Sequence, residues 1–261
     1  MTISIVTACD ERFAPGLAAL LSSIAAYAPN SGVHVLDCGV SDSTRNWLEE
    51  LFVRARFIKL DVGRDLPSPS VGSHATYARI FIGDFFDGDR VLYLDADTLL
   101  LSTIDALEAI HLPDNCVVAA CREPYTPTFA SHNGILDHQV LGLSGTTPYF
   151  NAGVLLIDVA RWRAARVKER ALDYLRRHDV RITLYDQEAL NVVLASRWHE
   201  LDPVWNVSKY WATQGSAVWR HMMAAARIVH FLSPEKPWIE PTKVEPLLMQ
   251  KYHEFTRSRS S

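Results

Sequence analysis

The stretch that decides the fold is Arg-Val-Leu-Tyr-Leu-Asp-Ala-Asp-Thr-Leu-Leu-Leu, residues 90–101. Its apolar run, 91–94, has the composition of a strand that is buried on both faces of a sheet. The run ends on Asp95 and Asp97, two carboxylates separated by a single small residue. Two like charges beside buried hydrocarbon repel each other and lose hydration, so either they protonate or a cation lies between them.

A divalent cation is the simplest partner for this pair of carboxylates. Carboxylate oxygens suit hard ions such as Mg²⁺ and Mn²⁺, and a site with few protein ligands leaves positions for substrate phosphates. The alternative is that Asp95 caps the strand and Asp97 starts a turn, both of them solvated. The preceding strand favours the cation, because ligands of open α/β sheets collect at the carboxyl ends of strands.

The composition indicates one continuous domain with a substantial core, since 48% of the 261 residues are hydrophobic. A formal net charge of -4 without a basic stripe argues against nucleic acid as a partner. The four cysteines lack a metal-ligand spacing, so we expect reduced, intracellular thiols. The sequence shows no basic leader and no uncharged segment long enough to span a bilayer.

Apolar periodicity predicts an alternation of strands and helices, which is typical of a mostly parallel sheet flanked by helices. The predicted strands are 3–7, 33–37, 57–62, 91–94, 116–121, 149–158, 198–201 and 227–231. The predicted helices are 15–27, 42–55, 75–86, 105–110, 158–178, one opening at Tyr185, and 244–256. We expect a polar connection after Asp97. The region 122–148 has no period, and such long irregular segments are usually functional, so we place the acceptor pocket there.

Several polar residues lie where the predicted strands end or the following helices begin. Asp10 follows the first strand and can accept a hydrogen bond from a base N–H, or can be an exposed acid before a helix. Arg79, one crossover before the aspartates, can reach a phosphate, or can be an ordinary residue of a helix face. Asn151 and Gly153 open a core strand, where sugar hydroxyls can satisfy the amide and glycine permits close approach.

Two further segments also place polar residues at the end of a predicted strand or the start of a predicted helix. Asp186 and Gln187 stand at the entrance of a helix, where they serve either as a cap or in a site. His230 ends an apolar strand, and Lys236 follows on a proline-stiffened loop. The imidazole can complete a metal sphere and favours Mn²⁺ over Mg²⁺, while the ammonium can neutralise phosphate oxygens. A lone histidine at a strand end is otherwise a packed residue.

Taken in order, these motifs resemble glycosyltransferase family 8, which includes bacterial lipopolysaccharide α-galactosyltransferases and α-glucosyltransferases and the glycogenin-like enzymes. The resemblance rests on Thr-Tyr-Ala-Arg at 76–79, Asp-Ala-Asp at 95–97, Phe-Asn-Ala-Gly-Val-Leu-Leu-Ile at 150–157, Tyr-Asp-Gln-Glu at 185–188 and His-x-x-x-x-x-Lys-Pro-Trp at 230–238. It covers the chain from Ile3 to about Trp238.

The resemblance implies a GT-A nucleotide-sugar fold over 1–261, with a nucleotide-binding half at 1–97, a donor-sugar and acceptor half at 98–240, and a C-terminal helix and tail at 241–261. It implies transfer of galactose or glucose from a UDP-sugar to a saccharide or glycolipid acceptor, with retention at the anomeric carbon. It places the enzyme in the cytoplasm or at the inner membrane face, with at most peripheral membrane association.

The resemblance also implies a role for each matched residue. Asp95, Asp97 and His230 would hold Mn²⁺, with Mg²⁺ the second choice, and Lys236 would contact the diphosphate. Asp10 would meet the uracil, and Arg79 the donor phosphate or sugar. Catalytic roles would fall to Asp186, Gln187 and Asn151 around the transferred hexose. The other expected donor contacts are Ala96, Ala152, Gly153 and Ser233, the last replacing a glycine often found there.

Two other functions share these sequence features. The chain can be a non-catalytic nucleotide-sugar binding protein that keeps the same aspartates and histidine as a binding site. It can also be a sugar nucleotidyltransferase, which likewise uses metal-bound carboxylates on an α/β sheet. Release of UDP identifies the transferase, and release of pyrophosphate identifies the nucleotidyltransferase.

Overall fold

The structure is a computed structural model that describes residues 3–63, 66–69, 73–88, 90–178, 182–232 and 234–256. In these residues the strands are β1 Ser4–Cys9, β2 Val33–Asp37, β3 Ala55–Lys59, β4 Arg90–Leu94, β5 Thr98–Leu100, β6 Val118–Arg122, β7 Phe150–Asp158, β8 Trp198–Leu201, β9 Val207–Ser208 and β10 Ile228–His230. The α-helices are α1 Ala14–Tyr27, α2 Asp42–Leu51, α3 Ile82–Phe85, α4 Asp105–Glu108, α5 Val159–Ala164, α6 Val167–Arg177, α7 Tyr185–Val193, α8 Ser216–Ala225 and α9 Pro246–Thr256. Short 3₁₀ segments are Glu11–Phe13, His74–Phe81, Pro203–Trp205, Lys209–Gln214 and Pro241–Lys243.

The chain forms two compact units, each assembled from separate stretches of sequence. Unit 1 comprises 1–60, 94–110 and 203–261, and unit 2 comprises 61–93 and 111–202. The α/β class expected from the alternation of elements is confirmed. The division into halves at residue 97 remains a prediction.

Unit 1 contains parallel strands and a small second sheet. Strand β2 lies between β1 and β3 and runs parallel to both. The small sheet has the order β5-β10-β9, with β10 antiparallel to β5 and parallel to β9. Helix α1 packs on β5, where the Ser23 hydroxyl accepts a hydrogen bond from the Leu100 N–H at 3.0 Å. This contact anchors the strand that follows the aspartate pair.

Unit 2 is built around β7, whose first eight residues are all buried. The strand order is β4-β7-β6-β8, and β6 runs antiparallel to β7 and parallel to β8. An apolar cluster formed by Phe129, Ile135 and Tyr149 lies in the connection between β6 and β7. The described residues 123–149 contain no helix or strand, only an isolated bridge from Thr128 to Pro148, so the irregular region predicted at 122–148 is confirmed apart from Arg122, the last residue of β6.

Several helix predictions were wrong in extent. The helix predicted at 42–55 ends at Leu51, because Phe52 leaves helical geometry and the Ala55 N–H bonds back to its carbonyl at the start of β3. The helix predicted at 158–178 is broken by Arg166, whose left-handed backbone (φ 51°) separates α5 from α6. Most of the helix predicted at 75–86 is a 3₁₀ segment, and α3 contributes only its last turn.

Elements were also missed where the sequence pattern is weak. The polar connection expected after Asp97 is instead the buried strand β5, which is stabilised by pairing with β10. Strand β9 has two residues, too few for periodicity, and α8 follows Gly215, whose φ of 109° favours glycine. None of the described helices is long and apolar enough to cross a membrane.

Gly16, in the first turn of α1, is required by close packing. A Cβ placed there would lie 2.8 Å from the Ala96 carbonyl oxygen and would overlap the Trp238 ring. The glycine therefore lets α1 approach the backbone between the two aspartates.

We expect Gly16→Ala to lower the free energy of unfolding. Alanine normally stabilises a helix by about 1 kcal/mol relative to glycine, but overpacking costs about 1–3 kcal/mol. Urea unfolding measures the difference. Gly88→Ala is the control, because no atom of the described residues lies within 4 Å of its Cβ position. Equal stability of Gly16→Ala and the parent protein would contradict the close contact.

Candidate functional site

Asp95 and Asp97 lie on the tight turn that joins β4 to β5. The Thr98 N–H and hydroxyl both donate to the Asp95 carbonyl, at 3.0 and 2.7 Å. This closes the turn, and the chain enters β5 at once. The Asp97 side chain is buried, whereas Asp95 is half-buried. The carboxyl end of the predicted strand is thus where the two acids lie.

His230 meets these aspartates because β10 pairs with β5. The antiparallel register places His230 opposite Thr98, one residue after Asp97. Its Nε2 lies 3.2 Å from Asp97 Oδ1 and 3.7 Å from Asp95 Oδ2. On the other side of the ring, Nδ1 is 3.0 Å from the Asn206 side-chain oxygen. The ring is therefore held by Asn206 and directed at the two carboxylates.

Lys236 neutralises the buried Asp97 carboxylate. Its Nζ donates to Asp97 Oδ2 at 2.6 Å and to the Phe231 carbonyl at 2.8 Å, and it too is buried. Burial by itself raises the pKa of Asp97, but the Lys236 ammonium and His230 lower that pKa by more. The carboxyl group is consequently ionised throughout the neutral range.

Asp95, Asp97 and His230, here called the metal-type cluster, have the donor atoms of a divalent cation site. One ligand atom from each lies within 4.8 Å of the others. Two carboxylate oxygens and one imidazole nitrogen suit Mn²⁺, since imidazole favours transition metals over Mg²⁺. These three residues therefore fit the Mn²⁺ ion that the resemblance implied.

The loop that carries Asp10 is attached to the loop that carries Lys236. Trp238 donates from its indole N–H to the Arg12 carbonyl at 3.1 Å and meets the Phe13 ring edge-on. The Lys236 ammonium lies 5.5 Å from the centre of the Phe13 ring. Asp10 Oδ1 accepts from the Phe13 N–H at 3.1 Å, so it caps the 3₁₀ segment. Asp10 therefore has a structural role as a cap, which the sequence analysis did not assign to it.

In unit 2, Arg79 and Asp186 form a buried ion pair. Arg79 Nε lies 2.9 Å from Asp186 Oδ2, and both side chains are almost fully buried. Arg79 also donates to the Ala152 carbonyl, and the Thr76 hydroxyl donates to the other Asp186 oxygen. The Arg79 guanidinium lies 4.8 Å from the centre of the Tyr93 ring. Arg79 is therefore a buried, fixed residue and not part of an exposed helix face.

Asn151 and Gln187 organise the start of β7. The Asn151 Nδ2 donates to Glu123 at 2.7 Å, and its Oδ1 accepts from the Gly153 N–H at 2.9 Å. Gln187 Oε1 accepts from the Ala152 N–H at 2.9 Å. The two side-chain amides thus accept hydrogen bonds from the backbone N–H groups of Ala152 and Gly153, at the start of β7.

Glu188 accepts hydrogen bonds at the N-terminus of α7, where Asp186 and Gln187 lie. Its buried carboxylate accepts from the Tyr174 hydroxyl at 2.7 Å and from the Thr183 N–H at 2.8 Å. Tyr185, the first residue of the helix, has a positive φ of 46°. A non-glycine residue persists in that region only when its surroundings constrain it, and Glu188 supplies part of that constraint.

The structure brings the expected residues together in two groups. Unit 1 holds the metal-type cluster, Ala96 and Lys236, and unit 2 holds what we call the Arg79 cluster: Arg79, Asn151, Ala152, Gly153, Asp186 and Gln187. Ser233 lies outside the described residues. Sequence reasoning missed Asn206 and Glu123. Glu123 directly follows β6, and that position could have indicated it. Asn206 precedes the two-residue strand β9, which has no sequence signal.

Several basic side chains of α5 and α6 pair with neighbouring acids or with backbone carbonyls. Arg163 pairs with Asp87 at 2.8 Å, and Lys168 pairs with Asp84 at 2.7 Å. Arg161 donates to the Pro113 and Cys116 carbonyls.

Comparison with known proteins agrees with the fold and the motifs. The family described as "Glycosyl transferase family 8" matches residues 4–242. Lipopolysaccharide glucosyltransferase WaaO of Escherichia coli (strain K12) is 29% identical over 91% of this chain and 73% of its own length. Lipopolysaccharide 1,3-galactosyltransferase of Salmonella typhimurium is 33% identical over 67% of this chain and 52% of its own length.

Solved structures with the same fold include the galactosyltransferase LgtC. An active-site mutant of LgtC, in which a glutamine is replaced by glutamate, superposes with a TM-score of 0.82 at 23% identity, covering 99% of this chain and 97% of that one. LgtC in complex with donor and acceptor sugar analogs gives a TM-score of 0.80 at 24% identity over 97% and 96% of the two chains. The GT-A fold predicted from the resemblance is confirmed.

The fold and the family match define a glycosyltransferase of the GT-A type. The chain belongs to glycosyltransferase family 8.

We expect the Arg79–Asp186 pair to be strongly non-additive in stability. Removing one partner leaves the other charge buried and costs about 3–5 kcal/mol, so Asp186→Leu and Arg79→Met should each be severely destabilised. The double variant should recover much of that loss, as measured by urea unfolding. In the control, Arg177→Met with Asp173→Leu, an exposed pair of the same unit is worth about 0–1 kcal/mol. Simple addition of the two single losses would show that the pair is not electrostatically coupled.

Proposed function

We propose that this glycosyltransferase moves a hexose, galactose or glucose, from a UDP-sugar to a hydroxyl of a saccharide or glycolipid acceptor, with Mn²⁺ as cofactor and retention at the anomeric carbon. The observation that carries the proposal is the metal-type cluster with the Lys236 ammonium against it. A nucleotide diphosphate is an anion that needs cationic partners, and these residues supply one and can bind another.

Asp95, Asp97 and His230 would hold the Mn²⁺, which as a Lewis acid stabilises the negative charge on the departing diphosphate. Lys236 acts on the same charge. Its ammonium lies on a loop fixed by Trp238 and Phe13, so it is already in place when the glycosyl-phosphate bond breaks. Preorganised charge of this kind stabilises the transition state more than the ground state. We place the Ala96 backbone and Ser233 beside the donor as well.

Asp10 would meet the uracil. Its Oδ1 is used by the Phe13 N–H, and a carboxylate oxygen has two lone pairs, so capping and base recognition are compatible. The attachment of this loop to Trp238 supports the proposal, because it ties the base contact to the loop that carries Lys236.

The Arg79 cluster would surround the hexose and the reacting carbon. Since Asp186 is paired with Arg79, its charge is already balanced, and its share in stabilising an oxocarbenium-like sugar is smaller than that of a free carboxylate. Gln187 and Asn151, with Ala152 and Gly153, then supply most of the polar contacts. The active-site glutamine of LgtC supports a role for Gln187 in catalysis.

We propose that the acceptor is lipopolysaccharide or another surface glycan and that it contacts residues 122–148. The two lipopolysaccharide hexosyltransferases among the relatives support this class of acceptor. The reaction would then take place in the cytoplasm, at the inner face of the membrane when the acceptor is lipid-linked.

We expect release of UDP from UDP-galactose or UDP-glucose to require Mn²⁺ and to stop when the metal is chelated. A coupled UDP assay with each donor, with Mn²⁺, Mg²⁺ or EDTA, measures both preferences. Turnover in EDTA would contradict the metal assignment. Donor binding without turnover across an acceptor panel would indicate a binding protein, and release of pyrophosphate from a nucleoside triphosphate would indicate a nucleotidyltransferase.

Asp97→Asn and His230→Ala should lose nearly all activity, since both residues act through the metal. Asp97→Asn should also unfold at a lower urea concentration, because it leaves the buried Lys236 ammonium without its charged partner, so activity is compared where both variants are folded. Activity is measured as UDP release, and folding by circular dichroism and urea unfolding. Asp114→Asn is the control, because it removes only an exposed ion pair with Arg161. If either cluster variant turned over donor as fast as the parent protein, the ligand set would be misassigned.

A further inference from the structure

We propose that Glu123 is a positioning residue that fixes the orientation of the Asn151 side-chain amide. The inference rests on the proposed function, in which Asn151 contacts the donor hexose. Glu123 directly follows β6, and it is buried. Its carboxylate bonds to Asn151 and acts on the hexose only through that residue.

The ladder between β6 and β7 changes register just before the end of β6. Ala120 pairs with Leu155, and Arg122 pairs with Phe150. Between these two pairs β6 advances by two residues while β7 advances by five, so residues 151–154 lie outside the regular ladder with β6. Irregularities of this kind re-aim side chains and are over-represented next to active sites.

Side chains supply the hydrogen bonds in this irregular part of β7. The Gly153 N–H donates to Asn151 Oδ1 at 2.9 Å, and the Ala152 N–H donates to Gln187 Oε1 at 2.9 Å. Asn151 in turn donates from Nδ2 to Glu123 Oε2 at 2.7 Å, a length typical of a bond to a charged acceptor. The Asn151 amide is therefore held at both of its ends.

These two partners allow only one orientation of the Asn151 amide. A backbone N–H can only donate, so Gly153 requires the amide oxygen, and a carboxylate accepts, so Glu123 requires the amide nitrogen. Reversing the amide would place N–H against N–H at Gly153 and oxygen against oxygen at Glu123. Because Asn151 is buried, such a mismatch is costly. The directions of its donor and acceptor groups are thus set by these two contacts.

Glu123 is itself held in place by two further hydrogen bonds. Its backbone N–H donates to the Tyr149 carbonyl at 2.9 Å. Its second carboxylate oxygen, Oε1, accepts from the Tyr125 N–H at 3.2 Å. The acceptor oxygen that faces Asn151 therefore has a fixed position, and the length of the side chain determines that position.

The experiment separates the position of this oxygen from its charge. Glu123→Gln keeps the length and one acceptor oxygen but removes the charge, whereas Glu123→Asp keeps the charge and retracts the carboxylate by one methylene group. Calorimetry with Mn²⁺ measures binding of UDP and of UDP-hexose, and the coupled assay measures kcat/KM. NMR of protein with ¹⁵N-labelled asparagine observes the Asn151 side-chain amide, whose signals are assigned by their absence in Asn151→Ala.

We expect Glu123→Asp to lower kcat/KM about 10- to 100-fold, to weaken UDP-hexose binding without changing UDP binding, and to shift the Asn151 amide signals. Glu123→Gln should retain most of the activity, because its oxygen can still accept from Asn151 and only the less buried bond, to Tyr125, is given up. In the Asn151→Ala background, Glu123→Asp should have no further effect on UDP-hexose binding or kcat/KM.

Glu200→Gln is the matched control. Glu200 lies on β8, which pairs with β6, and its exposed carboxylate forms an ion pair with Arg122, the residue before Glu123. This variant removes the same charge from a neighbouring strand without touching Asn151. It should change neither the Asn151 signals nor any of the binding and rate measurements.

A Glu123→Gln protein no more active than Glu123→Asp would overturn the inference, and so would an additive loss from Glu123→Asp in the Asn151→Ala background. If Glu123→Asp does not fold, Glu123→Gln decides, because loss of its activity or of the Asn151 amide signals would overturn the inference equally. A parent protein that binds UDP-hexose no more tightly than UDP would instead refute the proposed hexose contacts. The Asn151 signals would still show whether Glu123 holds the amide.

Discussion

The charge balance of the buried Asp97 carboxylate is the constraint on which unit 1 depends. A carboxylate removed from water must be paired, and here Lys236 and His230 provide the partners. Those partners come from two further elements, β10 and the loop after it, so the pairing specifies where both must lie. Trp238 then locks that loop to the 3₁₀ segment after β1, and Gly16 leaves room for the indole. The need to pair the buried Asp97 carboxylate thus places β10, and the loop after it, beside the turn that carries Asp97.

The Arg79 cluster in unit 2 satisfies its buried charge in a different way. Arg79 and Asp186 neutralise each other completely, and amides from Asn151 and Gln187 bond to nearby backbone groups. In unit 1, by contrast, Lys236 and His230 lie beside two aspartates, and a divalent cation can bind to the aspartates and the histidine of the metal-type cluster. The proposed division of labour follows from this difference, with charge stabilisation assigned to unit 1 and hexose contacts to unit 2.

Much of the fold could be predicted from local pattern. The exact bounds of β2 and the buried strand before Asp95 follow from runs rich in apolar residues that are bounded by polar residues. The errors have physical causes. The left-handed Arg166 separates two helices that the sequence analysis predicted as one, and β5 owes its strand geometry to pairing with β10. Neither effect is visible in a window of neighbouring residues.

The sequence by itself determined the class of fold and the pair of acids at a strand end, because these follow from residue chemistry and short spacing. The family resemblance, carried by motifs of the same sequence, assigned the distant His230 and Lys236 to that pair. Only the tertiary structure decided that Arg79 is paired with Asp186, that Asn151 bonds to Glu123, and that Asn206 holds the His230 ring. Partners separated by tens of residues are chosen by strand register and by the cost of burying an unpaired polar group, and both are properties of the folded chain.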